Sequence, residues 1–244
     1  MLLKADTPRP KLGSGLAPDF VFIREGFFLM GSDDGPDNEK PLHRVWVDAF
    51  MIGRFPVTNR EYGAFVERTG YPEPPFWSQG MFSHPDKPVV GINWFDTLAY
   101  CKCLTEIMGK PCRLPTEAEW EKSARGGKEE KKYPWGNDLP AERPYAGYDQ
   151  VAGGPERIGL GEPNGFGLFD MSEGVHEWCS DFYDPEYYCR SPNENPQGPV
   201  SGRKRASRGG SWRHHVKFSR SAARSSLIPS FHYNDYGLRV VMGL

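Results

Sequence analysis

The chain has 244 residues and a formal net charge of −2, so it is long enough for one large domain or two small ones, and its charge excludes a general nucleic-acid binder, which needs a basic face. Aromatic residues make up 14% of the chain, and this share together with the low net charge excludes a disordered protein. The 28 glycines and 23 prolines predict many turns and short elements instead of long helices or strands.

The amino-terminal segment is polar up to the first apolar run. We predict a flexible leader over residues 1–19 and one folded domain over residues 20–244. The leader lacks the apolar core of a signal peptide, and no stretch of the chain approaches the ~18 apolar residues of a membrane span. We therefore expect no membrane partner.

Strands are predicted first along the chain. Two apolar runs, at 20–23 and 27–30, predict two strands with a turn at Gly26 between them. Residues 43–47 alternate polar and apolar side chains, as a half-buried strand does.

Three helices follow, each predicted to begin at a capping box and to end at a glycine. The capping pairs are Thr58 and Glu61, Asn93 and Asp96, and Thr116 and Glu119, and the terminating glycines are Gly70, Gly109 and Gly126. In the second helix, the predicted buried face consists of Leu98, Cys101, Leu104 or Thr105, and Met108.

Beyond residue 130 the regular pattern fades into short aromatic segments separated by turn residues, and no internal repeat is present. Val240 and Val241 predict a last buried strand. These elements together predict an α+β fold in a single compact domain with little regular secondary structure.

The cysteines bear on the compartment of the protein. They are Cys101, Cys103, Cys112, Cys179 and Cys189. Their odd number and irregular spacing, without a Cys-x-x-Cys pair or a secretion signal, predict reduced thiols and a cytoplasmic location.

Three common functional motifs are weak or missing. The basic run at 203–208 is typical of a solvated loop before a strand more than of a phosphate-binding patch, so we expect no nucleic-acid partner. Ser211 follows two glycines and precedes Trp212, which is not the nucleophile elbow of hydrolases. No phosphate-binding Gly-x-x-x-x-Gly-Lys loop occurs.

Several segments, in the expected order over about residues 20–243, resemble the formylglycine-generating-enzyme or sulfatase-modifying-factor family. They include Phe-Leu-Met-Gly-Ser at 28–32, Pro-Val-Thr-Asn-Arg-Glu-Tyr at 56–62, Arg-Leu-Pro-Thr-Glu-Ala-Glu-Trp-Glu at 113–121, Asn-Gly-Phe-Gly-Leu-Phe-Asp-Met at 164–171, Arg-Gly-Gly-Ser-Trp at 208–212 and Gly-Leu-Arg-Val at 237–240. The resemblance implies a C-type-lectin-like fold. It implies less about function, which belongs to a site and not to a fold.

The resemblance also implies a structural Ca²⁺ in the turn from residue 170 to residue 177. The ligands would be the carboxylates of Asp170 and Glu177 and the backbone carbonyls of Glu173 and Val175, and oxygen ligands suit this hard cation. The alternative is an acidic turn whose charges face solvent. A second calcium site of the family is degraded, since Gly147 occurs where an asparagine ligand would fall.

The carboxy-terminal segment departs from the family at the copper ligands. In the resembling enzymes, two cysteines three and eight positions after the motif serine bind copper as thiolates. Here those positions are His214 and Ser219. An imidazole and a hydroxyl are poor ligands for soft Cu(I), so copper and formylglycine formation are not expected.

Two functions remain open from the sequence. One is a divergent oxidoreductase of the family, with Ser211, His214 and Ser219 as catalytic candidates. The other is a non-catalytic binding module for a peptide or small anionic ligand. The rest of the predicted pocket consists of Trp212, Arg213, His215, Arg220 and Arg224.

The pocket residues carry two further expectations. If enough of the three arginines are free of protein carboxylates, the pocket should prefer an anionic ligand, which guanidinium groups bind bidentately. Adjacent histidines seldom bind one ion, because neighbouring side chains diverge. A metal site that uses His214 or His215 would therefore need His176 or His232 nearby.

Overall fold

Short strands and three α-helices alternate along the chain in a computed structural model that describes residues 15–138, 153–172 and 174–244. The elements are β1 Phe20–Ile23, β2 Gly26–Met30, β3 His43–Val47, β4 Phe50–Gly53, α1 Asn59–Thr69, α2 Trp94–Met108, β5 Cys112–Arg113, α3 Glu117–Arg125, β6 His176–Phe182, β7 Arg205–Arg208, β8 Ser225–Leu227, β9 Tyr236–Gly237 and β10 Val241–Met242.

The strands form three small sheets. The first has the order β1-β4-β10-β5, so the last strand of the chain lies between two earlier ones. The second is the pair β2-β3, and the third has the order β8-β7-β6-β9. Pairing is antiparallel throughout these sheets except between β6 and β9, where His176 lies beside Tyr236 in parallel register.

The predicted helices are confirmed together with their caps. All three carry a complete capping box, and all three end at a glycine in the left-handed conformation. The predicted buried face of α2 is wrong at Leu98, which is exposed. Tyr100 and Cys103 are buried there instead, because α2 packs against neighbours on more than one side.

The strands predicted at 20–23, 27–30 and 43–47 are confirmed, and the last predicted strand begins one residue later than expected. Strands β4 to β9 were not predicted. Most of these are only two to four residues long, which is too short for a two-residue alternation to be visible in the sequence.

The end of the predicted leader contacts the domain. Residues 1–14 lie outside the described residues, whereas Leu16 is buried in the cluster that holds α1 and α2. Its carbonyl accepts a 3.0 Å hydrogen bond from the hydroxyl of buried Tyr100. No helix in the described part of the chain is long and apolar enough to cross a membrane.

A buried network of charges joins α3 to the carboxy-terminal third of the chain. Arg208 donates to Glu117 at 2.9 Å and to Glu121 at 2.6 Å. Arg224 also pairs with Glu117, and Arg125 pairs with Glu121. Burial alone would raise the pKa of both glutamates, but the guanidinium groups outweigh it and hold both pKa values below the ordinary value. The network is therefore ionised, and it fixes the positions of the segments that carry the candidate site.

Candidate functional site

The candidate site lies where β6 begins, beside the loop that follows β7. That loop starts with Gly209 and Gly210, whose φ angles of 96° and 68° favour glycine. A Cβ on Gly209 would lie 3.2 Å from the ring of Trp120, and one on Gly210 would lie 2.9 Å from Ser219 Oγ. The two glycines thus let the loop turn tightly against the core and present the residues after them.

Three side chains from separate segments meet in this place. His176 is the first residue of β6, His214 lies in the loop, and Asp235 directly precedes β9. The backbone N–H of His176 donates to the Asp235 carbonyl at 2.8 Å, which joins two of the segments. Each side chain offers one ligand-type atom, and these three atoms all lie within 4.8 Å of one another. We call these residues the His–His–Asp cluster.

The two imidazoles of the cluster share a hydrogen bond. His176 Nε2 lies 2.8 Å from His214 Nδ1, and His214 Nε2 lies 3.5 Å from Asp235 Oδ2. Nδ1 of His176 is buried with no partner among the described residues. A buried lone pair without a donor costs less than a buried N–H without an acceptor. The favoured tautomer therefore has His176 donating from Nε2 to His214, and His214 directing Nε2–H towards the carboxylate.

Burial keeps both histidines neutral near pH 7. It lowers the pKa of His176 to about 3, against the opposing charge of Asp235. It also lowers the pKa of His214, whose side chain is 34% exposed. The exposed fraction gives the cluster one face towards solvent, through His214, while His176 stacks on Tyr236 behind it at 4.8 Å between ring centroids.

Asp235 is held by two further residues. Ser211 Oγ donates to Asp235 Oδ2 at 2.9 Å, and Arg213 lies 3.0 Å from the same oxygen and 3.1 Å from Oδ1. The hydroxyl of Ser211 thus bonds to the carboxylate and not to a histidine. This arrangement does not activate Ser211 as a nucleophile, since a nucleophilic serine hydrogen-bonds to its base.

The structure divides the remaining pocket residues among different environments. Trp212 packs on Phe82 and donates from Nε1 to the carbonyl of Asn234. Ser219 is buried, and its Oγ has no partner among the described residues. His215 accepts a hydrogen bond from the Lys217 backbone and lines a separate cavity of about 910 Å³. The predicted single pocket is therefore split.

The condition set for an anion preference, that enough of the three arginines are free of protein carboxylates, is not met. Arg213 pairs with Asp235, Arg220 makes two 2.6 Å hydrogen bonds to Glu39, and Arg224 makes two at 2.8 Å to Glu117. Carboxylates distant in sequence use these donors, so the physical basis for a preference for anions is absent.

Comparison with known proteins agrees with this architecture. A model of the sulfatase-modifying factor enzyme 1-like domain matches residues 6–244. The chain belongs to this family. The formylglycine-generating enzyme of Thermomonospora curvata is 30% identical over 96% of each protein, and the Bos taurus enzyme is 32% identical over 90% of this chain and 73% of that protein. The structure of PvdO from Pseudomonas aeruginosa superposes with a TM-score of 0.81, at 28% identity, over 94% of this chain and 95% of that one.

These similarities confirm the predicted fold class, an α+β domain of the formylglycine-generating-enzyme, C-type-lectin-like type. The chain differs from the resembling enzymes at the two positions where copper-binding cysteines are expected. Burial raises the pKa of the Cys101 and Cys179 thiols, and Cys189 is exposed. Cys103 and Cys112 lie in the α1–α2 core. With His214 and Ser219 at the ligand positions, the residues of this chain do not fit a two-thiolate copper site.

In the turn from residue 170 to residue 177, where the family resemblance implies calcium, Arg239 forms an ion pair with Glu177. Both oxygens of Glu177 are used, by Trp120 Nε1 at 2.6 Å and by Arg239 at 2.8–3.1 Å. Glu177 is buried, so the alternative of solvent-facing charges is wrong at that position. Asp170 accepts from the Gly159 backbone at 2.7 Å. Arg239 is thus already a counter-charge in the turn. Glu173 and Gly147 lie outside the described residues, and calcium binding stays a prediction.

Sequence reasoning named two of the three cluster residues and missed the third. His214 was a candidate by its position, and His176 was named as a possible partner. The other possible partner, His232, lies elsewhere and bonds to Asp96 at 3.1 Å. Asp235 was missed, although it stands two residues before the Gly-Leu-Arg-Val segment of the family, which was a usable signal.

Proposed function

We propose that this chain is a divergent oxidoreductase of the sulfatase-modifying factor family that does not form formylglycine with copper. The observation that carries the proposal is the replacement of both copper-ligand positions, by His214 and Ser219, with His214 drawn into the His–His–Asp cluster. Family membership supports the reaction class. The substituted residues support a change of chemistry at the same place in the fold.

The cluster can take part in such a reaction through His214. The His214 side chain is 34% exposed, so a substrate group that approaches from solvent can reach the ring. Asp235 lies beside His214 Nε2, and Ser211 and Arg213 hold the carboxylate in place. Buried His176 fixes the orientation of the His214 ring. A peptide or a small molecule is the proposed substrate class.

The negative part of the proposal is tested with copper-loaded protein and a peptide that contains Cys-x-Pro-x-Arg. In air, the peptide mass should not change to that of the aldehyde. The double variant H214C/S219C serves as the comparison, because it restores the two thiolates at their family positions. Aldehyde formation by the wild-type protein well above the metal-free rate would contradict the proposal.

The positive part is tested by mass spectrometry of a mixture of peptides and metabolites incubated with the protein in air. We expect products that have lost two hydrogens or gained one oxygen, and we expect them to disappear with H214A while they persist with H215A. Ligand retention without any oxidised product would favour the non-catalytic binding module instead. The carboxylate-paired arginines argue against an anionic ligand for that module.

We also propose a cytoplasmic location for the protein. The five cysteines are free, and an oxidising compartment would favour their pairing or oxidation. Labelling of the thiols in protein taken directly from cells tests this.

A further inference from the structure

We infer that the His–His–Asp cluster binds a divalent first-row transition-metal ion. His176, His214 and Asp235 each point one ligand atom into a region where all three atoms lie within 4.8 Å of one another. Two imidazoles and one carboxylate form a donor set that suits iron(II), cobalt(II) or zinc(II), and three protein ligands leave positions open for substrate. The inference rests on the proposed function and deepens it, because it places a metal ion at the same site.

The geometry between the two rings favours an ion. A metal ion binds an imidazole through a ring nitrogen, and His176 Nε2 and His214 Nδ1 already point towards each other. In the absence of an ion, the two rings face each other with nitrogens 2.8 Å apart and only one proton between them. A cation placed there replaces that shared proton and can attract both ring nitrogens together with the carboxylate.

The hydrogen bonds around Asp235 are of the kind that orient carboxylate ligands in metal sites. Ligating carboxylates are commonly oriented by further hydrogen bonds, and Asp235 accepts one from Ser211 and others from Arg213. Arg213 also adds positive charge 3.0 Å from Oδ2, which opposes a dication. Its side chain is 38% exposed, so it can move towards water when an ion binds.

His176 Nδ1 sets the main cost of binding. If Nε2 binds the ion, the ring proton moves to Nδ1, which is buried with no acceptor among the described residues. A buried donor without a partner weakens metal binding by the cost of its lost hydrogen bond to water. The neighbouring His215 is not a member of this cluster, and its Nδ1 accepts a hydrogen bond from the Lys217 backbone instead.

The test uses the full chain without a histidine tag, stripped of metal and titrated with Co²⁺ and Zn²⁺. Calorimetry should give one ion per chain, and Co²⁺ should develop visible absorption of a low-coordinate site with nitrogen ligands. H214A should abolish both signals, and D235N should weaken them. H215A is the matched control, because it removes the adjacent histidine and should leave the signals unchanged.

Circular dichroism of each variant separates lost binding from lost folding, and H214A is the safest variant because its side chain is partly exposed. Equal cobalt binding by H214A and the wild-type protein, or no binding by folded wild-type protein, would overturn the metal site. A bound ion without any oxidised product would contradict the proposed function alone. An oxidised product from folded wild-type protein that binds neither Co²⁺ nor Zn²⁺ would contradict the metal site alone.

Discussion

Burial sets the protonation state of single carboxylates in this protein. Asp181, in β6, accepts from the Glu117 backbone at 2.9 Å and from Ser180 Oγ at 3.1 Å. These bonds favour its charged form, but burial and the nearby charge of Glu117 outweigh them and raise its pKa to about 7. The carboxylate of Asp181 is thus destabilised, in contrast to Glu117 and Glu121, which have guanidinium partners.

The raised pKa of Asp181 predicts a stability that falls with pH. The folded protein keeps the proton up to about pH 7, whereas the unfolded chain loses it near the ordinary aspartate pKa of 3.8. The free energy of unfolding therefore decreases between these pH values. D181N removes this dependence and should gain about 2–3 kcal/mol relative to wild type between pH 5 and pH 8, as measured by urea unfolding.

Exposed Asp34 provides the control for this measurement. D34N should change the free energy of unfolding by the same small amount at both pH values. A D181N effect that does not vary with pH would mean that Asp181 is ionised in the folded protein throughout this range.

At the scale of the elements, the ends of the helices differ in their surroundings. Gly70 and Gly126 are both C-cap glycines in the left-handed conformation, with φ of 68° and 58°. A Cβ on Gly70 would meet nothing within 4 Å, whereas one on Gly126 would lie 2.8 Å from the backbone nitrogen of Gly165. The end of α1 is open, and the end of α3 is packed against another backbone segment.

This difference predicts unequal costs for the same substitution. G70A should lower the free energy of unfolding by about 1–2 kcal/mol, the cost of a left-handed non-glycine residue. G126A adds the overpacking of the Gly165 segment, which typically costs a further ~1–3 kcal/mol. Chemical denaturation of both variants measures the difference. Equal losses of unfolding free energy would show that the Gly165 segment moves aside without cost.

The helices were predictable from the sequence because their signals are local. A capping box such as that of Thr116 and Glu119 is complete within four residues, and a C-cap glycine such as Gly126 directly follows the last helical residue. Strand β6 was not predicted, because His176 and Glu177 at its start are polar residues that are buried by partners elsewhere. A buried polar strand has no apolar alternation to reveal it.

At the scale of the whole molecule, the candidate site is a product of long-range contacts. His176 and His214 are 38 positions apart, and Ser211 and Asp235 are 24 apart. No residue spacing within one element predicts that they meet. The family resemblance located His214 through an aligned position, and His176 was one of two possible partners named from the sequence. The fold was needed to choose His176 over His232 and to bring Asp235 to the same place. The arginine pairs to distant glutamates were unpredictable for the same reason.

Calcium binding is tested on the stability of the whole domain. An ion that binds only the folded state at a hundredfold excess over its Kd stabilises by about 2.7 kcal/mol. The melting temperature with calcium should therefore exceed that with a chelator by about 5–11 °C, and D170N should remove the difference. Coincident melts of the wild-type protein would show that Arg239 alone neutralises the turn.

The place of β10 in the first sheet has a consequence for biosynthesis. Residues Val241–Met242 pair with β4 on one side and with β5 on the other. The strands β4 and β5 are synthesised much earlier, and no strand lies between them in the sheet until this segment arrives. A ribosome adds about 5–20 residues per second, and through nearly all of that time the nascent chain holds unpaired strand edges next to apolar residues. The first sheet is therefore completed only after residue 242 has left the exit tunnel.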